Sequence, residues 1–265
     1  MGVRVSPLAL WKMAGCVIIV TVQFMSQIVG VDSLPPAMST LPPNTRFPPV
    51  EAADPDGLLL IGGKLTPSWL LEAYRRGIFP WPFSDGNKMY LGWWSPDPRA
   101  ILELDRLHIS RRLQRTIRGG PFTATLNHDF AGVVAGCAEP RDADDGTWIT
   151  PEMVRAYERL HELGHAHSVE VWRGGQLAGG VYGVAVGGVF CGESMFHRER
   201  DASKVALAHL VNHLRARGFV LLDIQQWTPH MARMGASEIS RSEYLHRLQQ
   251  AIELSVSMGG RLEWL

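Results

Sequence analysis

Residues 190–225 read FCGESMFHRERDASKVALAHLVNHLRARGFVLLDIQ, and this stretch decides the fold. The pattern predicts a buried strand, a helix that ends at Gly218, and a second buried strand. In such a strand–helix–strand unit, the carboxyl ends of the strands and the amino end of the helix meet on one rim. The strands deliver Glu193, Asp223 and Gln225 to that rim. These side chains suit chemistry on a polar substrate, and helix capping or ion pairing is the alternative role for the two carboxylates.

The composition is that of a folded protein with a substantial core. The chain has 265 residues, of which 46% are hydrophobic and nine are Trp. Its 26 Lys and Arg residues equal its 26 Asp and Glu residues, so a polyanionic partner would have to meet a local basic patch. The three cysteines form no CxxC pair, which fits a reducing compartment.

The amino terminus carries an uncharged run over residues 13–31, preceded by the basic residues Arg4 and Lys12. This arrangement is typical of a signal peptide or a weak membrane anchor. Polar side chains dilute the run, however, and no small-x-small cleavage site follows it. We therefore favour Met38 as the true start, interpret residues 1–40 as a mis-assigned start or a dispensable extension, and expect no stable membrane association.

The remaining chain predicts two parts. Residues 41–105 are rich in Pro and Trp, and we expect them to form a small N-terminal α/β domain in which IFPWP is a rigid loop around Trp81. Residues 106–265 contain hairpins with double-glycine turns, followed by the strand–helix–strand unit. This order predicts an α+β fold with helices packed on a mixed sheet.

Several polar residues stand where a helix begins, and such side chains can accept a hydrogen bond from a first-turn N–H group. The residues in these positions are Thr66, Ser110, Asn127, Thr150, Asp201 and Ser240, the last with Glu243 in a capping box. Residues 141–146 (RDADDG) predict a polar surface loop.

Three other chemistries find little support in the motifs. His209 and His213 are four residues apart in the predicted helix, but the adjacent Glu of an HExxH zinc site is missing, so we expect no metal. Ser194 lies in CGESM rather than GxSxG, so we do not expect a serine nucleophile. The glycine-rich QLAGGVYG lies in a predicted hairpin instead of at a helix start, so the helix dipole gives it no means of binding a pyrophosphate.

Aromatic and basic residues suggest contact with RNA. Trp81 and Trp148, both expected in loops, could each stack on a nucleobase, which is worth ~1–3 kcal/mol per base, or could simply pack in the core. The arginines that could form a local patch for RNA, or be scattered surface residues, are Arg75, Arg76, Arg99, Arg111, Arg112 and Arg115.

The motifs also resemble those of a known family. In chain order they are DPDGLLLIGGKL, LLEAYRRGIFPWP, WWSPDPRAIL, GTWITPEM, GGVYGVAVGGVFCGESMF, DASKVAL and LLDIQ. Together they closely resemble the leucyl/phenylalanyl-tRNA–protein transferases, bacterial enzymes of the N-degron pathway, over about residues 41 to 250. The family's usual start matches Leu41-Pro42-Pro43, which supports Met38 as the initiator.

The resemblance implies an activity. Enzymes of this family transfer Leu or Phe, and less well Met, from the 3′ end of aminoacyl-tRNA to the α-amino group of a protein that begins with Arg or Lys, which marks that protein for degradation. The resemblance also implies a C-terminal domain of GNAT-like acyltransferase fold that uses neither a metal nor a coenzyme. We expect a cytoplasmic monomer.

By motif position, the resemblance places the catalytic and substrate-positioning roles on Glu193, Asp223 and Gln225, and substrate recognition on Trp81 and Trp148. It also implies an apolar pocket for the aminoacyl side chain, lined by Val181, Phe190, Met195, Val205, Leu207, Leu210 and Leu222. Some relatives carry other, often larger, side chains at three of these positions, so the preference between Leu and Phe stays open.

An aminoacyl-tRNA ester is already activated, so its aminolysis needs a positioned neutral amine and a stabilised oxyanion rather than a covalent nucleophile. We predict that Asp223 orients Gln225, whose side-chain carbonyl accepts a hydrogen bond from the amine, while Glu193 positions the ester. A coenzyme A-dependent N-acetyltransferase and a catalytically inactive RNA-binding module are the alternatives.

Overall fold

The structure is a computed structural model, and it describes residues 46–84, 88–140 and 147–263. The predicted extension over residues 1–40 and the predicted polar loop over residues 141–146 lie outside the described residues. None of the described helices is long and apolar enough to cross a lipid bilayer.

The described residues form two sheets and seven α-helices. The strands are β1 (Leu58–Ile61), β2 (Phe79–Ser84), β3 (Met89–Trp94), β4 (Arg99–Leu102), β5 (Phe122–Leu126), β6 (Ala166–Arg173), β7 (Gln176–Val186), β8 (Val189–His197), β9 (Leu221–Gln225) and β10 (Ser237–Ile239). The helices are α1 (Pro67–Arg75), α2 (Arg111–Gly119), α3 (Phe130–Ala138), α4 (Pro151–Glu162), α5 (Ala202–Ala216), α6 (Pro229–Arg233) and α7 (Arg241–Ile252).

The smaller sheet is antiparallel and has the order β1-β3-β2. The loop predicted around Trp81 is wrong, because IFPWP supplies most of β2, which pairs with β3 from Phe79 to Ser84. Pro80 and Pro82 lack backbone N–H groups, and a strand tolerates this only at the edge of a sheet, which is where β2 lies. The tryptophan side chain is thereby fixed on a strand.

The larger sheet has seven strands in the order β10-β4-β9-β8-β7-β6-β5. All neighbouring strands are antiparallel except β8 and β9, which are parallel and are connected by α5. This arrangement confirms the predicted α+β class with a mixed sheet and the predicted strand–helix–strand unit. β4 belongs to this sheet, where Ile101 pairs with Asp223 of β9.

Three of the six predicted helix caps are present. Ser110, Thr150 and Ser240 accept hydrogen bonds from first-turn N–H groups at the starts of α2, α4 and α7. Three predictions are wrong. The side chains of Thr66 and Asp201 make no capping hydrogen bond. Asp129 caps α3 in place of Asn127, whose side-chain oxygen accepts from the Ser168 N–H group at the neighbouring strand.

The parallel pairing of β8 and β9 is short, and this creates the site. It runs from Val189 opposite Leu221 to Cys191 opposite Asp223 and goes no further, although β8 continues to His197. Beyond this point, Gln225 adopts a left-handed backbone conformation with φ of 58°. The carboxyl ends of the two strands therefore separate at the polar residues that the sequence placed there.

Candidate active site

The structure brings the three predicted polar residues together. The side-chain nitrogen of Gln225 lies 3.2 Å from Glu193 Oε1, and its backbone N–H group donates to Asp223 Oδ1 at 2.9 Å. All three residues are buried, with exposed fractions of 5% for Glu193, 0% for Asp223 and 5% for Gln225. They form one connected polar centre where β8 and β9 separate.

Asp223 is held by hydrogen bonds on both oxygens. Oδ1 accepts from Arg99 Nε at 2.9 Å in addition to the Gln225 N–H group. Oδ2 accepts from Arg99 Nη2 at 2.7 Å and from Tyr244 Oη at 2.8 Å. A carboxylate has about four lone-pair sites, so all of its acceptor capacity is used. Asp223 therefore positions its neighbours and has no free site for a substrate.

Arg99 does not belong to a surface patch, and its predicted role in RNA binding is wrong. Its exposed fraction is only 1%. The guanidinium group lies between the rings of Phe79 and Tyr244, at 4.8 Å and 4.5 Å from their centroids, and donates to the carbonyl of Gly77. The bidentate contact with Asp223 compensates for the burial of the charge. The physical reason is that β4 lies inside the large sheet, between β10 and β9, and begins at this residue.

Glu193 lies in a buried environment that includes two tyrosines. Tyr157 Oη donates to Glu193 Oε2 at 2.5 Å, and Tyr74 Oη lies 2.8 Å from Tyr157 Oη. Burial raises the pKa of Glu193 to about 7, although hydrogen bonds from the tyrosines oppose this shift and favour the ionised form. Burial also raises the pKa of Tyr157 well above its usual range, so this phenol stays protonated and remains a donor.

The orientation of the Gln225 amide follows from its neighbour. Because an ionised carboxylate can only accept hydrogen bonds, the NH₂ group of Gln225 faces Glu193 and Oε1 faces away. No described residue donates to this oxygen. Gln225 Oε1 is therefore available to a ligand that carries an N–H group.

The two predicted recognition tryptophans contact each other. The rings of Trp81 and Trp148 are stacked at a centroid distance of 5.1 Å, with 30° between their planes. Trp81 is buried, and Trp148 is partly buried in the segment before α4. Trp81 also contacts Phe79, whose ring lies against Arg99. The pair is thus linked to the polar centre, although a base could stack only on an outer face of the pair.

The seven residues predicted to line an apolar pocket all lie in one buried cluster between the large sheet and α5. They are Val181, Phe190, Met195, Val205, Leu207, Leu210 and Leu222. Phe190 and Leu222 are paired neighbours one step before Cys191 and Asp223. Successive strand residues point to opposite faces of a sheet, so this cluster lies on the α5 face, whereas Cys191 packs in the cluster on the other face. It can reach the polar centre only where β8 and β9 separate, and its role as a pocket remains a prediction.

The other predicted RNA-binding arginines lie in different places. Arg111, Arg112 and Arg115 are exposed on α2. Arg76 donates to the carbonyls of Phe47 and Pro48, which is a structural role. The fifth, Arg75, lines a cavity of about 430 Å³ together with residues that include His165 and His167.

Three residues of the centre were not singled out as site residues from the sequence: Tyr74, Tyr157 and Tyr244. In the sequence, the spacing of Val154, Tyr157 and Leu160 indicates only that Tyr157 lies on an apolar face of a helix. A usable signal does exist, because the hydroxyl of a buried tyrosine needs a hydrogen-bond partner. Such partners cannot be identified from one sequence, since the three tyrosines come from three separate helices.

The structure also bears on the alternative chemistries. Ser194 Oγ is buried and makes no hydrogen bond to any described residue, so none of these residues acts on it as a base. Within the described ranges, no group of three or more His, Cys, Asp or Glu residues could hold a metal ion. Both ring nitrogens of His213 are occupied, by the Met258 carbonyl and the Glu263 N–H group. Burial raises the pKa of the Cys191 thiol, so it is not a ready nucleophile.

The fold and the site together define an α+β protein with a buried acid–amide centre at the end of two parallel strands. The family model described as leucyl/phenylalanyl-tRNA protein transferase matches residues 101–249, and the model of that family's N-terminal domain matches residues 63–97. The chain belongs to this family.

Relatives support the assignment at high identity. The leucyl/phenylalanyl-tRNA–protein transferase of Solidesulfovibrio magneticus is 56% identical over 208 residues, which are 78% of this chain and 83% of the relative. That of Chromohalobacter salexigens is 54% identical over 213 residues, 80% of this chain and 82% of the relative. Among solved structures, a GCN5-related N-acetyltransferase from Kribbella flavida aligns with 66% of this chain and with 61% of its own chain. The TM-score of this alignment is 0.36, and the sequence identity is 14%.

Proposed function

We propose that the protein transfers Leu or Phe, and less efficiently Met, from the 3′ end of aminoacyl-tRNA to the α-amino group of proteins that begin with Arg or Lys. Membership of the family supports an aminoacyl-tRNA donor and a protein acceptor. The observation that carries the proposal is the acceptor oxygen of Gln225, which is fixed by Asp223 through the backbone and lies beside the perturbed carboxyl group of Glu193.

The proposed reaction is direct aminolysis. An α-ammonium group has a pKa of about 7.7–8.0, so a carboxylate with a pKa of about 7 can accept its proton. Gln225 Oε1 then accepts a hydrogen bond from the neutral amine and orients it toward the ester carbonyl. A C–N bond forms as the C–O bond to the ribose breaks, and the second proton of the amine passes to the departing ribose oxygen, which becomes a hydroxyl. The first proton then leaves Glu193 for solvent.

Selection of the aminoacyl group would rest on the apolar cluster beside the centre. One methylene in such a pocket changes the transition-state free energy by ~1–3 kcal/mol, so a side chain as similar as Met would be accepted at a reduced rate. The stacked pair of Trp81 and Trp148 would hold the terminal adenosine of the tRNA through an outer ring face.

We further propose that the protein acts in the cytoplasm as a monomer. It would have a small N-terminal domain over residues 41–105, whose last strand, β4, joins the large sheet, and a catalytic domain over residues 106–265. Cys137 and Cys191 are buried and form no disulfide within the described residues, which fits a reducing compartment. The acetyltransferase alternative is not favoured, because the family model and the curated relatives carry the aminoacyl-tRNA-dependent activity in their names.

The direct test is a transfer assay with radiolabelled Leu-tRNA and a model protein that begins with Arg. We expect label on the Arg-initiated acceptor and none on an otherwise identical acceptor that begins with Met. A lack of transfer to either acceptor, with the tRNA shown to stay charged, would contradict the proposed function. Tight binding of acetyl-CoA in that case would point to the acetyltransferase.

A further inference from the structure

A basic cleft of about 790 Å³ lies beyond the carboxyl end of β8, between α2, α6 and the start of α5. Five cationic side chains line it, and the single carboxylate among its lining residues is Asp201. The cations are Arg112, Arg198, Arg200, Lys204 and Arg233. A protein whose overall charge is balanced therefore has a concentrated positive surface here.

The positive charge of the cleft is only partly neutralised. Asp201 has a left-handed backbone with φ of 68°, and its carboxylate binds Lys204 at 2.9 Å and Arg112 at 3.1 Å. The same carboxylate makes no capping hydrogen bond to α5, so the helix presents an uncapped, electropositive amino end. Arg200 lies 4.0 Å from the same carboxylate but is 76% exposed, and Arg198 pairs with Glu139. No described carboxylate forms an ion pair with Arg233.

His230 provides a second indication that this cleft binds a ligand. It lines the cleft, and its Nε2 atom is buried without a hydrogen-bond partner among the described residues. Burial, followed by the charges of Lys204 and Arg233, lowers the pKa of His230 to about 4, so the ring is neutral. A neutral imidazole can still donate one N–H group, and an anionic oxygen in the cleft would satisfy it.

We infer that this cleft binds the phosphodiester backbone of the single-stranded RNA end that carries the aminoacyl ester. The inference rests on the proposed function. His197, at the end of β8, follows Glu193 by four residues, or roughly 13 Å of extended chain. The phosphates just 5′ of the terminal nucleotide would thus occupy the cleft while the ester lies beside Glu193.

The test compares two double variants of the full chain. R200Q/R233Q removes two exposed cations from the cleft. R215Q/R261Q removes two cations outside it, one of which lies near the carboxyl end of α5. The ligands are a short RNA that ends in CCA with an amide-linked Leu, and the corresponding Leu-adenosine without phosphates. The dissociation constant of each is measured as a function of salt concentration.

We expect R200Q/R233Q to weaken RNA binding at least tenfold and to reduce the slope of log K against log salt by ~1.4, since each phosphate contact with a single strand contributes ~0.7. Its affinity for Leu-adenosine should change less than twofold, and R215Q/R261Q should bind both ligands as the wild type does.

An unchanged salt slope in R200Q/R233Q, or an equal loss in R215Q/R261Q, would overturn the inference. So would a cleft variant that loses acetyl-CoA binding while it retains RNA binding. A wild type that transfers no Leu from charged tRNA, yet shows the expected difference in salt slope, would refute the proposed function and leave the RNA-binding cleft standing.

Discussion

Glu193 connects the ionisation of the site to the stability of the protein. Its pKa is about 7 in the folded protein and ~4.3 in an unfolded chain. The folded state therefore holds the proton more tightly between these values. The resulting stabilisation is fully present below pH ~4.3 and is lost as the pH rises through 7. The folded protein therefore loses stability as the pH approaches neutrality, and in the proposed mechanism the carboxylate formed there accepts a proton from the amine.

The variant E193Q should lack this dependence because its side chain does not titrate. We expect the free energy of unfolding of E193Q, relative to that of the wild type, to increase from pH 5 to pH 7 by up to ~1.4 kcal/mol per pH unit. Urea denaturation at several pH values measures this difference. The exposed variant E162Q serves as the control, and parallel curves for E193Q and the wild type would contradict the assigned environment.

Arg99 and Asp223 form a second pair whose energetics depend on burial. We expect R99Q to destabilise the protein by ~3–5 kcal/mol, because it leaves the buried Asp223 carboxylate without its cation. The double variant R99Q/D223N should recover part of this loss. Arg247 and Glu103 form a similar bidentate contact that is partly exposed, so R247Q should cost ~1 kcal/mol or less. Equal losses in R99Q and R247Q would refute the structural role of the buried pair.

At the level of secondary structure, local sequence patterns predicted an element correctly where the pattern fits only a helix or only a strand. Periodicity and flanking glycines identified α5 and the strands on either side, so Glu193, Asp223 and Gln225 could be placed together from the sequence. The family resemblance then supplied the seven apolar residues that share one cluster. Their proximity follows from the parallel strand–helix–strand unit, in which successive elements pack on each other.

Other features depend on contacts between distant parts of the chain. The prolines of IFPWP indicate a loop unless the strand lies at a sheet edge, and edge position is a property of the folded sheet. Arg99 looks like a surface cation until β4 is placed beside β9, more than a hundred residues away in sequence. Asn127 and Asp129 are equally good helix caps by residue type, and only the contact of Asn127 with the neighbouring strand decides between them.

The packing between the large sheet and α5 leads to a prediction about specificity. V181A removes two methyl groups from the predicted pocket, and we expect it to raise the ratio of kcat/KM for Phe to that for Leu by about tenfold, which is within the ~1–3 kcal/mol available to one group. V171A makes the same truncation on β6 in the same cluster, outside the predicted pocket residues. Transfer assays with Phe-tRNA and Leu-tRNA measure both ratios, and a shift of the same size in V171A would argue against the pocket.

At the scale of the whole molecule, the centre is assembled from elements of the entire described chain. Four elements each contribute one side chain to it: Tyr74 from α1, Arg99 from β4, Tyr157 from α4 and Tyr244 from α7. These side chains surround the two strand ends and fix the polar groups before any substrate arrives. Such preorganisation is what aminolysis of an activated ester requires, since no covalent intermediate lowers the barrier.

The most direct test of the central claim is the single-turnover rate of Leu transfer by Q225A, with Q226A as a matched control one residue away. The Asp223 contact uses the backbone N–H group of Gln225, so Q225A keeps that hydrogen bond, and circular dichroism checks that both variants fold. We expect Q225A to be at least ~100-fold slower than the wild type and Q226A to be within about twofold. A folded Q225A that transfers Leu at the wild-type rate would contradict the account.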